Sequence, residues 1–331
     1  MAPSIRPPLP SDIPAMVDLL LRDGAQRSTW DPTLWAVATD APTRLAASLS
    51  VSFASPETSA RELWLLAETA GRIVGLTHSM IVPVPPIYGI AAPPGLFLDD
   101  CFVLDVAPAG TAEALLLATQ AALRDVGASS MIASCPAASA WRAVYERHDF
   151  EPVTLYLAKH GFSFRELTPG VRHAQAADVP GIVARSAEHR ATLAALNSRF
   201  WHIHPEADSR FAAWMGYSLT LTDRAMFVAG EPDNVQGYSI AQPIAPLLVP
   251  AAHDIKAVGV LDDFYSRDFA SVASVSNGGQ TAMALLAAAE SAFARRAFTS
   301  ALAVCPAAWT SKVSVLERAG YKTAKLWLLQ R

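Results

Sequence analysis

The sequence contains few cysteines, no long apolar segment and no excess of positive charge. Its three cysteines are odd in number and far apart in 331 residues, which argues against a disulfide framework. No apolar run approaches the roughly 20 residues that a membrane-spanning helix requires, and the beginning of the chain lacks the apolar core of a signal peptide. The net charge of −4 argues against broad nucleic-acid binding, although it does not exclude a local basic patch. We therefore expect a soluble cytoplasmic protein that binds neither membranes nor nucleic acid.

Hydrophobic residues, in contrast, make up 52% of the chain, so a sizeable core can form. A length of 331 residues suits two domains of about 165 residues each. Cys135 and Cys305 each precede a proline, and Cys101 lies within a predicted strand, so we expect buried, reduced thiols. A catalytic cysteine is less favoured, because no motif ties a histidine or an asparagine to any of the three.

Residues 98–126 predict a strand, a tight turn and an amphipathic helix. β-forming residues run over 98–106, and Pro108 ends the predicted strand. The helix that follows carries apolar residues at helical spacing, namely Ala112, Leu115, Leu116, Ala122, Leu123 and Val126. Small residues in the turn leave backbone N–H groups uncovered at the start of a helix, where a phosphate or pyrophosphate can bind. An ordinary strand-to-helix turn inside a core would have the same pattern.

A second copy of this pattern lies about 166 residues further along. Arg6, Asp12 and Pro14 recur at that offset as Arg172, Asp178 and Pro180. Further matches follow in the same order with slowly drifting offsets: Leu98-Asp99-Asp100 with Leu261-Asp262-Asp263, Leu115-Leu116 with Leu285-Leu286, Cys135-Pro136 with Cys305-Pro306, and Glu146-Arg147 with Glu317-Arg318. Ordered matches of this kind indicate a duplicated module with loop insertions. We predict an N-terminal domain over 1–163 and a C-terminal domain over 168–331, divided near the Thr168-Pro169-Gly170 turn.

Each copy is predicted to contain a strand, one or two helices, a β-hairpin, the strand–turn–helix segment and a final strand, helix and strand. The first hairpin joins residues 62–68 to 72–82 across Thr69-Ala70-Gly71, and the second joins 226–229 to 236–242. A buried strand is expected over 131–134 in the first copy and over 299–304 in the second.

These features together resemble the GNAT superfamily of acyl-CoA N-acyltransferases, and the resemblance spans nearly all of both copies. It rests on the Ile-Arg opening with its Asp and Pro, on the hydrophobic-Asp-Asp-aromatic strand and on the loop into a Leu-Leu helix. It also rests on residues 145–150 (YERHDF), which are similar to the family's Tyr-Glu-Lys-Leu-Gly-Phe segment and return as LERAGY at 316–321. The resemblance implies an α+β fold of two GNAT-like domains, each with a mixed, mostly antiparallel sheet flanked by helices.

The resemblance also implies a coenzyme-binding loop in each copy, with the pattern Arg/Gln-x-x-Gly-x-Gly/Ala. In the first copy this site comprises Val103 of the preceding strand and the loop Ala107, Pro108, Ala109, Gly110, Thr111 and Ala112, with Ala107 in place of the cationic or amide residue. In the second copy the loop comprises Asn277, Gly278, Gly279, Gln280, Thr281 and Ala282, with Gln280 where the family has glycine. The implied co-substrate is acetyl-CoA or another acyl-CoA, held through backbone N–H groups.

The family transfers the acyl group directly, so the resemblance implies an acid and a base. Tyr145 matches the family's acid position, where a phenol protonates the leaving thiolate; a half-buried structural aromatic is the alternative. Leu316 holds that position in the second copy and cannot donate a proton. Asp99 and Asp100 are candidates for a base or for gripping a cationic amine, since adjacent strand residues point to opposite faces. Structural hydrogen bonding is the alternative, and the same choice applies to the paired aspartates of the second copy.

Other candidate sites are less specific. His202 and His204 would share one face of a strand, as in some metal sites, but no motif places a further ligand. We therefore predict no metal and favour a pair of loop-lining histidines. Residues 30–35 and 197–217 are candidate specificity segments, because this region meets the acceptor in the family. Arg295-Arg296 would end a helix, where cations suit the helix dipole, and a contact with coenzyme phosphates is the less favoured alternative.

The sequence thus predicts an acyl-CoA-dependent N-acyltransferase that acts on a small amine by direct transfer, with at most one copy fully competent. The alternative is a non-catalytic acyl-CoA-binding or scaffolding protein derived from duplicated GNAT domains. The departures from the family pattern at Ala107, Gln280 and Leu316 motivate that alternative. The sequence leaves open the acyl chain, the acceptor, the occupied copy and the oligomeric state.

Overall fold

A computed structural model describes residues 3–54, 62–89 and 93–331. Its helices are α1 (Ile13–Trp30), α2 (Ala41–Ala54), α3 (Thr111–Asp125), α4 (Ala140–Arg147), α5 (Val179–Leu196), α6 (Ala207–Ser218), α7 (Gln280–Arg295) and α8 (Thr310–Arg318). Its strands are β1 (Ser4–Arg6), β2 (Glu62–Thr69), β3 (Arg72–Ile81), β4 (Gly95–Phe97), β5 (Phe102–Val103), β6 (Met131–Pro136), β7 (Phe150–His160), β8 (Val171–His173), β9 (Ala225–Ala229), β10 (Gly237–Pro243), β11 (Val258–Ser266), β12 (Ser300–Pro306) and β13 (Lys322–Gln330). Both predicted hairpins and both predicted buried strands are present.

The N-terminal half (3–163) and the C-terminal half (168–331) begin with the same ion pair. Arg6 on β1 donates to Asp12 at 2.7 Å, and Arg172 on β8 donates to Asp178 at 2.8 Å. Each carboxylate also accepts the backbone N–H three residues earlier, which closes a 3₁₀ turn before α1 and α5. The hydrogen bond from the arginine holds the pKa of each carboxyl below its usual range. This shared construction matches the repeat that the sequence predicts.

The described strands form one continuous sheet in the order β1-β2-β3-β4-β6-β13-β7-β12-β11-β10-β9-β8, with β5 beside β3. The β4–β6 and β11–β12 pairs are parallel, and the other pairs are antiparallel. Each half therefore contributes a mixed, mostly antiparallel sheet flanked by helices, which confirms the predicted fold class.

The two halves exchange their last strands at the centre of this sheet. β13, from the C-terminal half, lies between β6 and β7 of the N-terminal half, and β7 in turn lies between β13 and β12. Leu155 pairs with Leu326, its counterpart in the repeat, so the exchange has an approximate twofold axis at this pair. The sheet of each half is thus completed by a strand of the other. The predicted domain boundaries at 163 and 168 remain a prediction.

The helices pack their apolar stripes on this sheet as their periodicity predicts. On α3, Leu115, Leu116 and Leu123 are fully buried, and on α7 the same holds for Leu285 and Leu286. Each such leucine contributes about 1.5–3 kcal/mol by leaving water. The three cysteines are buried and unpaired, as expected. None of the described helices combines enough length with enough apolar character to cross a bilayer.

The strand predicted over 98–106 is broken in the structure. Only Gly95–Phe97 and Phe102–Val103 are strands, and the backbone turns between them, with the Cys101 N–H donating to Asp99 O at 2.8 Å. The corresponding strand of the C-terminal half, Val258–Ser266, is continuous apart from a bulge. At the break, Asp99 and Asp100 form ion pairs with side chains of other strands and helices. The periodicity of the sequence cannot predict such contacts.

A loop of the C-terminal half covers the end of α1. His253 forms a bridge with Val37, and its Nδ1–H donates to the carbonyl of Trp35 at 3.0 Å. The imidazole is fully buried and lies against the Trp35 ring. Burial and the nearby Arg27 charge lower the pKa of His253 to about 4, against the opposing charge of Asp100. Burial and the Arg27 charge therefore hold the imidazole in its neutral form.

We expect His253 to make the stability of the protein depend on pH. Between pH 6.5 and pH 4 the unfolded chain binds a proton that the folded chain excludes, so the free energy of unfolding falls as the pH falls through this window. The contribution of His253 is about 3 kcal/mol at most. Urea unfolding at pH 7 and at pH 4.5 should show that the free energy of unfolding falls less for His253→Gln than for the wild type. Equal losses in both proteins would contradict the assignment.

Candidate functional site

The N-terminal half contains an opening where its parallel strands separate. β4 pairs with β6 only from Gly95 to Phe97, and beyond that the two chains diverge. We call the space between residues 101–110 and 136–141 the N-terminal slot. Leu104 donates its N–H to Val74 O on the β3 side, and because successive peptide groups alternate, the N–H and C=O of Val103 point into the slot. No hydrogen bond joins the two sides within these ranges, all of which the structure describes.

The turn at the end of this slot leads into α3. Gly110 is the residue before the helix, has φ of 81°, and has no heavy atom within 4 Å of where a Cβ would lie. Thr111 Oγ1 donates to Pro108 O at 2.6 Å, which fixes the turn, while Ala109 and Gly110 are exposed. The Glu113 carboxylate in the first helical turn is paired with Arg147. The N–H of Thr111 donates to Pro108 O at 3.2 Å, and Glu113 hydrogen-bonds its own N–H, so the donors left open among the described residues of this turn are those of Gly110 and Ala112. These two N–H groups and the dipole of α3 can attract an anion.

Tyr145 lies beside this slot on α4. Its ring is fully buried against Phe97, Phe150 and Trp141. Its hydroxyl faces the Cys101 thiol without a well-aligned hydrogen bond and is left without a partner among the described residues. Burial raises the pKa of Tyr145 well above its ordinary value, so the phenol keeps its proton at neutral pH.

Asp99 is buried in a network of charges that joins the two halves. Its Oδ2 lies 2.9 Å from Nζ of Lys325 on β13 and 3.6 Å from Nη1 of Arg27 on α1, and Arg27 is also paired with Asp23 at 2.7 Å. The side chains of Asp99, Lys325 and Arg27 are each no more than 3% exposed. Two internal cations therefore already neutralise Asp99, which leaves it poorly suited to grip a cationic amine.

Asp100 is held in the same way by His78 on β3. His78 Nδ1 lies 2.9 Å from Asp100 Oδ2, and the other ring nitrogen lies 3.6 Å from Glu62. Burial opposes charging of both groups, but their hydrogen bond and mutual attraction outweigh it. The pKa of Asp100 is therefore lowered and that of His78 is raised. The structure thus gives each of the two predicted aspartates an internal partner.

The equivalent opening in the C-terminal half is closed by its own side chains. We call the space between residues 264–272 and 306–312 the C-terminal slot. Lys312 on α8 donates from Nζ to Phe264 O at 2.7 Å, and Trp309 donates from Nε1 to Phe269 O at 3.2 Å. Both side chains are buried. Three more hydrogen bonds join the two sides, from Thr310 Oγ1, Ser311 Oγ and Ser311 N to the carbonyls of Val272, Ser271 and Val272.

The loop before α7 also has an internal anion where a ligand phosphate would bind. Asn277, Gly278 and Gly279 adopt left-handed φ of 47°, 63° and 76°, and Gln280 and Thr281 begin the helix. The buried carboxylate of Asp268 accepts the N–H of Ala282 at 2.9 Å. One donor of this helix start is therefore already satisfied, and its dipole is balanced by a carboxylate.

The paired aspartates of the C-terminal half also differ from each other. Asp263 is held between Tyr238 Oη at 2.8 Å and His189 Nδ1 at 3.3 Å. Asp262 has no hydrogen-bond partner among the described residues, and solvent reaches its side chain. Surrounding protein and the adjacent Asp263 charge nevertheless raise the pKa of Asp262 to about 6. Leu316, in the acid position of this half, is fully buried.

The remaining candidates lie outside both slots. His202 and His204 pack against Gly89, and His204 Nδ1 accepts the N–H of Glu206. Nowhere in the described chain do three His, Cys, Asp or Glu side chains gather as a metal would require. Arg295 lies over the Phe164 ring, and Arg296 donates to the carbonyl of Thr222.

Sequence reasoning missed the residues that distinguish the two slots: Arg27, His78, Asp268, Trp309, Lys312 and Lys325. The repeat carried a weak signal for two of them. Lys312 replaces Trp141 and Lys325 replaces Thr154 at matching positions, so each is a charged residue in only one copy. A buried lysine on an otherwise apolar strand is uncommon unless it is paired.

Comparison with solved structures identifies the fold. The chain superposes over 99% of its length on 95% of a GCN5-related N-acetyltransferase from Sphaerobacter thermophilus, with a TM-score of 0.56 and 15% identity. It also matches a fungal structure, the GCN5-related glucosamine N-acetyltransferase region of a multi-domain GH3 β-N-acetylglucosaminidase, with a TM-score of 0.54 and 13% identity, over 99% of this chain and 38% of that one. The chain therefore has the GNAT fold. Neither a protein-family model nor a curated protein matches the sequence.

Proposed function

We propose that the protein is an acyl-CoA-dependent N-acyltransferase that uses the N-terminal slot. One contrast carries the proposal: the N-terminal slot is unbridged and ends at an open helix start, whereas the C-terminal slot is filled by Lys312 and Trp309. In this assignment, the turn at Ala109 and Gly110 meets the pyrophosphate, and the peptide groups of Val103 meet the pantetheine arm or the acyl carbonyl. The GNAT fold supports this choice of ligand.

The residues of the slot supply proton transfer and positioning for direct acyl transfer. A neutral amine attacks the thioester carbonyl, the C–S bond breaks, and the amine nitrogen loses a proton. Tyr145, kept protonated by burial, gives a proton to the departing thiolate, and the proton lost by the amine nitrogen restores the phenol. Asp99 is a positioning residue in this proposal, because its carboxylate is paired with Lys325 on β13 and with Arg27 on α1. The pair with Lys325 connects one side of the slot to β13.

The proposal is tested by coenzyme binding and by turnover. Calorimetry with coenzyme A and with acetyl-CoA should give one ligand per chain, and hydrogen exchange should show protection at residues 101–112. With amine acceptors the wild type should consume the thioester, and Tyr145→Phe should lower kcat by about a hundredfold without weakening binding. Protection at residues 264–282, or two ligands per chain, would contradict the assignment of the slots.

A non-catalytic acyl-CoA-binding protein is the second candidate. The observation that favours it is that Asp99 and Asp100 are both neutralised internally, which leaves the slot without a free carboxylate base. The two candidates differ in turnover alone, because both require coenzyme in the N-terminal slot. Tight binding of acetyl-CoA with no thioester consumption across a broad panel of amines would establish the second candidate.

A further inference from the structure

A cleft of about 480 Å³ lies where the two halves meet, next to the N-terminal slot. Its walls come from the end of α1, the turn after β6, the end of β7 and the start of β13. Ala137 and Ala138 line the cleft and also belong to one side of the N-terminal slot, so the cleft and the slot share this wall. The volume falls within the usual range for small-molecule sites.

Most charged groups of this cleft are already engaged with each other. Asp31 Oδ2 accepts from His160 Nε2 at 2.8 Å, and its Oδ1 accepts the N–H groups of Thr33 and Leu34. The other ring nitrogen of His160 lies 3.0 Å from Ser300 Oγ, which is fully buried and so is not a nucleophile open to substrate. The Lys159 ammonium is paired with a carboxylate on α7 at 2.7 Å.

The groups left without a partner in the described chain are donors. Lys322 on β13 has an exposed side chain with no ion pair or hydrogen bond, and the Trp30 indole and the Thr323 hydroxyl also lack partners there. No carboxylate of the cleft lining is free. Lys322 is therefore the cation of the lining that is open to an anionic group, whereas Asp31, the carboxylate of the lining, already accepts hydrogen bonds from His160 and from the backbone.

We propose that this cleft binds the acceptor, and that the acceptor is a small amine that also carries a carboxylate. The Lys322 ammonium binds the carboxylate, and the Trp30 ring packs on the carbon skeleton. The amine then points along the wall at Ala137 and Ala138 toward the N-terminal slot. Lys322 belongs to the C-terminal half, so the acceptor site is complete only because the last strands are exchanged. This inference rests on the proposed function for the identity of the reaction.

The test measures binding directly, without turnover. Amino acids and their decarboxylated amines are titrated into the protein in the presence of coenzyme A, and dissociation constants are compared. Wild-type protein should bind at least one amino acid about tenfold more tightly than its decarboxylated amine, as expected for one charge-assisted hydrogen bond. Lys322→Gln should remove that preference and leave the affinity for the amine unchanged. Lys256→Gln, a change at another exposed lysine outside the cleft, is the matched control and should keep the preference.

The outcomes separate this inference from the proposed function. Equal affinities for the amino acids and their amines, or a preference that survives in Lys322→Gln, would overturn the acceptor assignment even if thioester is consumed. Carboxylate-dependent binding that is lost in Lys322→Gln, together with absent thioester consumption, would support the cleft and overturn the acyltransferase activity.

Discussion

Gly110→Asp is expected to weaken coenzyme binding by about thirtyfold. The substitution places a carboxylate at the helix start that is proposed to hold the pyrophosphate, so it replaces attraction by the helix dipole with repulsion between like charges. An effect of this size corresponds to about 2 kcal/mol, which is typical of one hydrogen bond to a charged group. Calorimetry with coenzyme A measures the change directly.

Gly127→Asp is the matched control for this experiment. Gly127 also has positive φ, 95°, and also has no heavy atom within 4 Å of a built Cβ, but it lies beyond the C-terminal end of α3. Both variants therefore add one negative charge at a glycine with positive φ and open space, and they differ in their position along the helix. If both variants bind coenzyme A like the wild type, the turn at Gly110 is not the pyrophosphate site.

Lys325→Met is expected to lower the free energy of unfolding by about 3–5 kcal/mol. The substitution keeps the length of the buried side chain but removes its charge, and it leaves Asp99 in the interior with only the longer contact to Arg27. It also removes the donor to the carbonyl of Leu248 at 2.6 Å. Urea denaturation at pH 7 gives the value, since a buried charge without its partner destabilises the folded state alone.

The double variant Lys325→Met with Asp99→Asn shows whether the two charges depend on each other. Removing both should cost less than the sum of the single substitutions by at least about 1 kcal/mol, because neither then leaves a bare charge. Strictly additive losses would mean that the contact between Lys325 and Asp99 does not link the halves energetically. In that case the proposal that Asp99 positions the slot through Lys325 would also lose its support.

Several features of the fold could be predicted from sequence because they depend on residues close together in the chain. The Arg6–Asp12 and Arg172–Asp178 pairs span six residues each, and the hairpin around Thr69-Ala70-Gly71 needs only a tight turn between two β-forming runs. The apolar stripe of α3 follows from helical spacing alone. The resemblance of both copies to one family added the fold class, which the superpositions confirm.

The candidate site, too, was predicted from the sequence only in part. The sequence placed Gly110 before a helix and Tyr145 on the next one, and both lie there in the structure. It did not predict that Asp99 and Asp100 would each be neutralised, because their partners lie on other strands and helices. The base role predicted for the two aspartates therefore remains a prediction, with internal cations standing against it.

By itself, the sequence determined the repeat, most of the secondary structure and the GNAT-like pattern of each half, since these arise from local propensity and from periodic burial. The tertiary structure alone decided that the last strands are exchanged, that Lys325 pairs with Asp99, and that Lys312 fills only one of the two slots. These contacts join residues about 48 to 226 positions apart. Tertiary packing selects them against the entropic cost of closing long loops, and no local pattern encodes that packing.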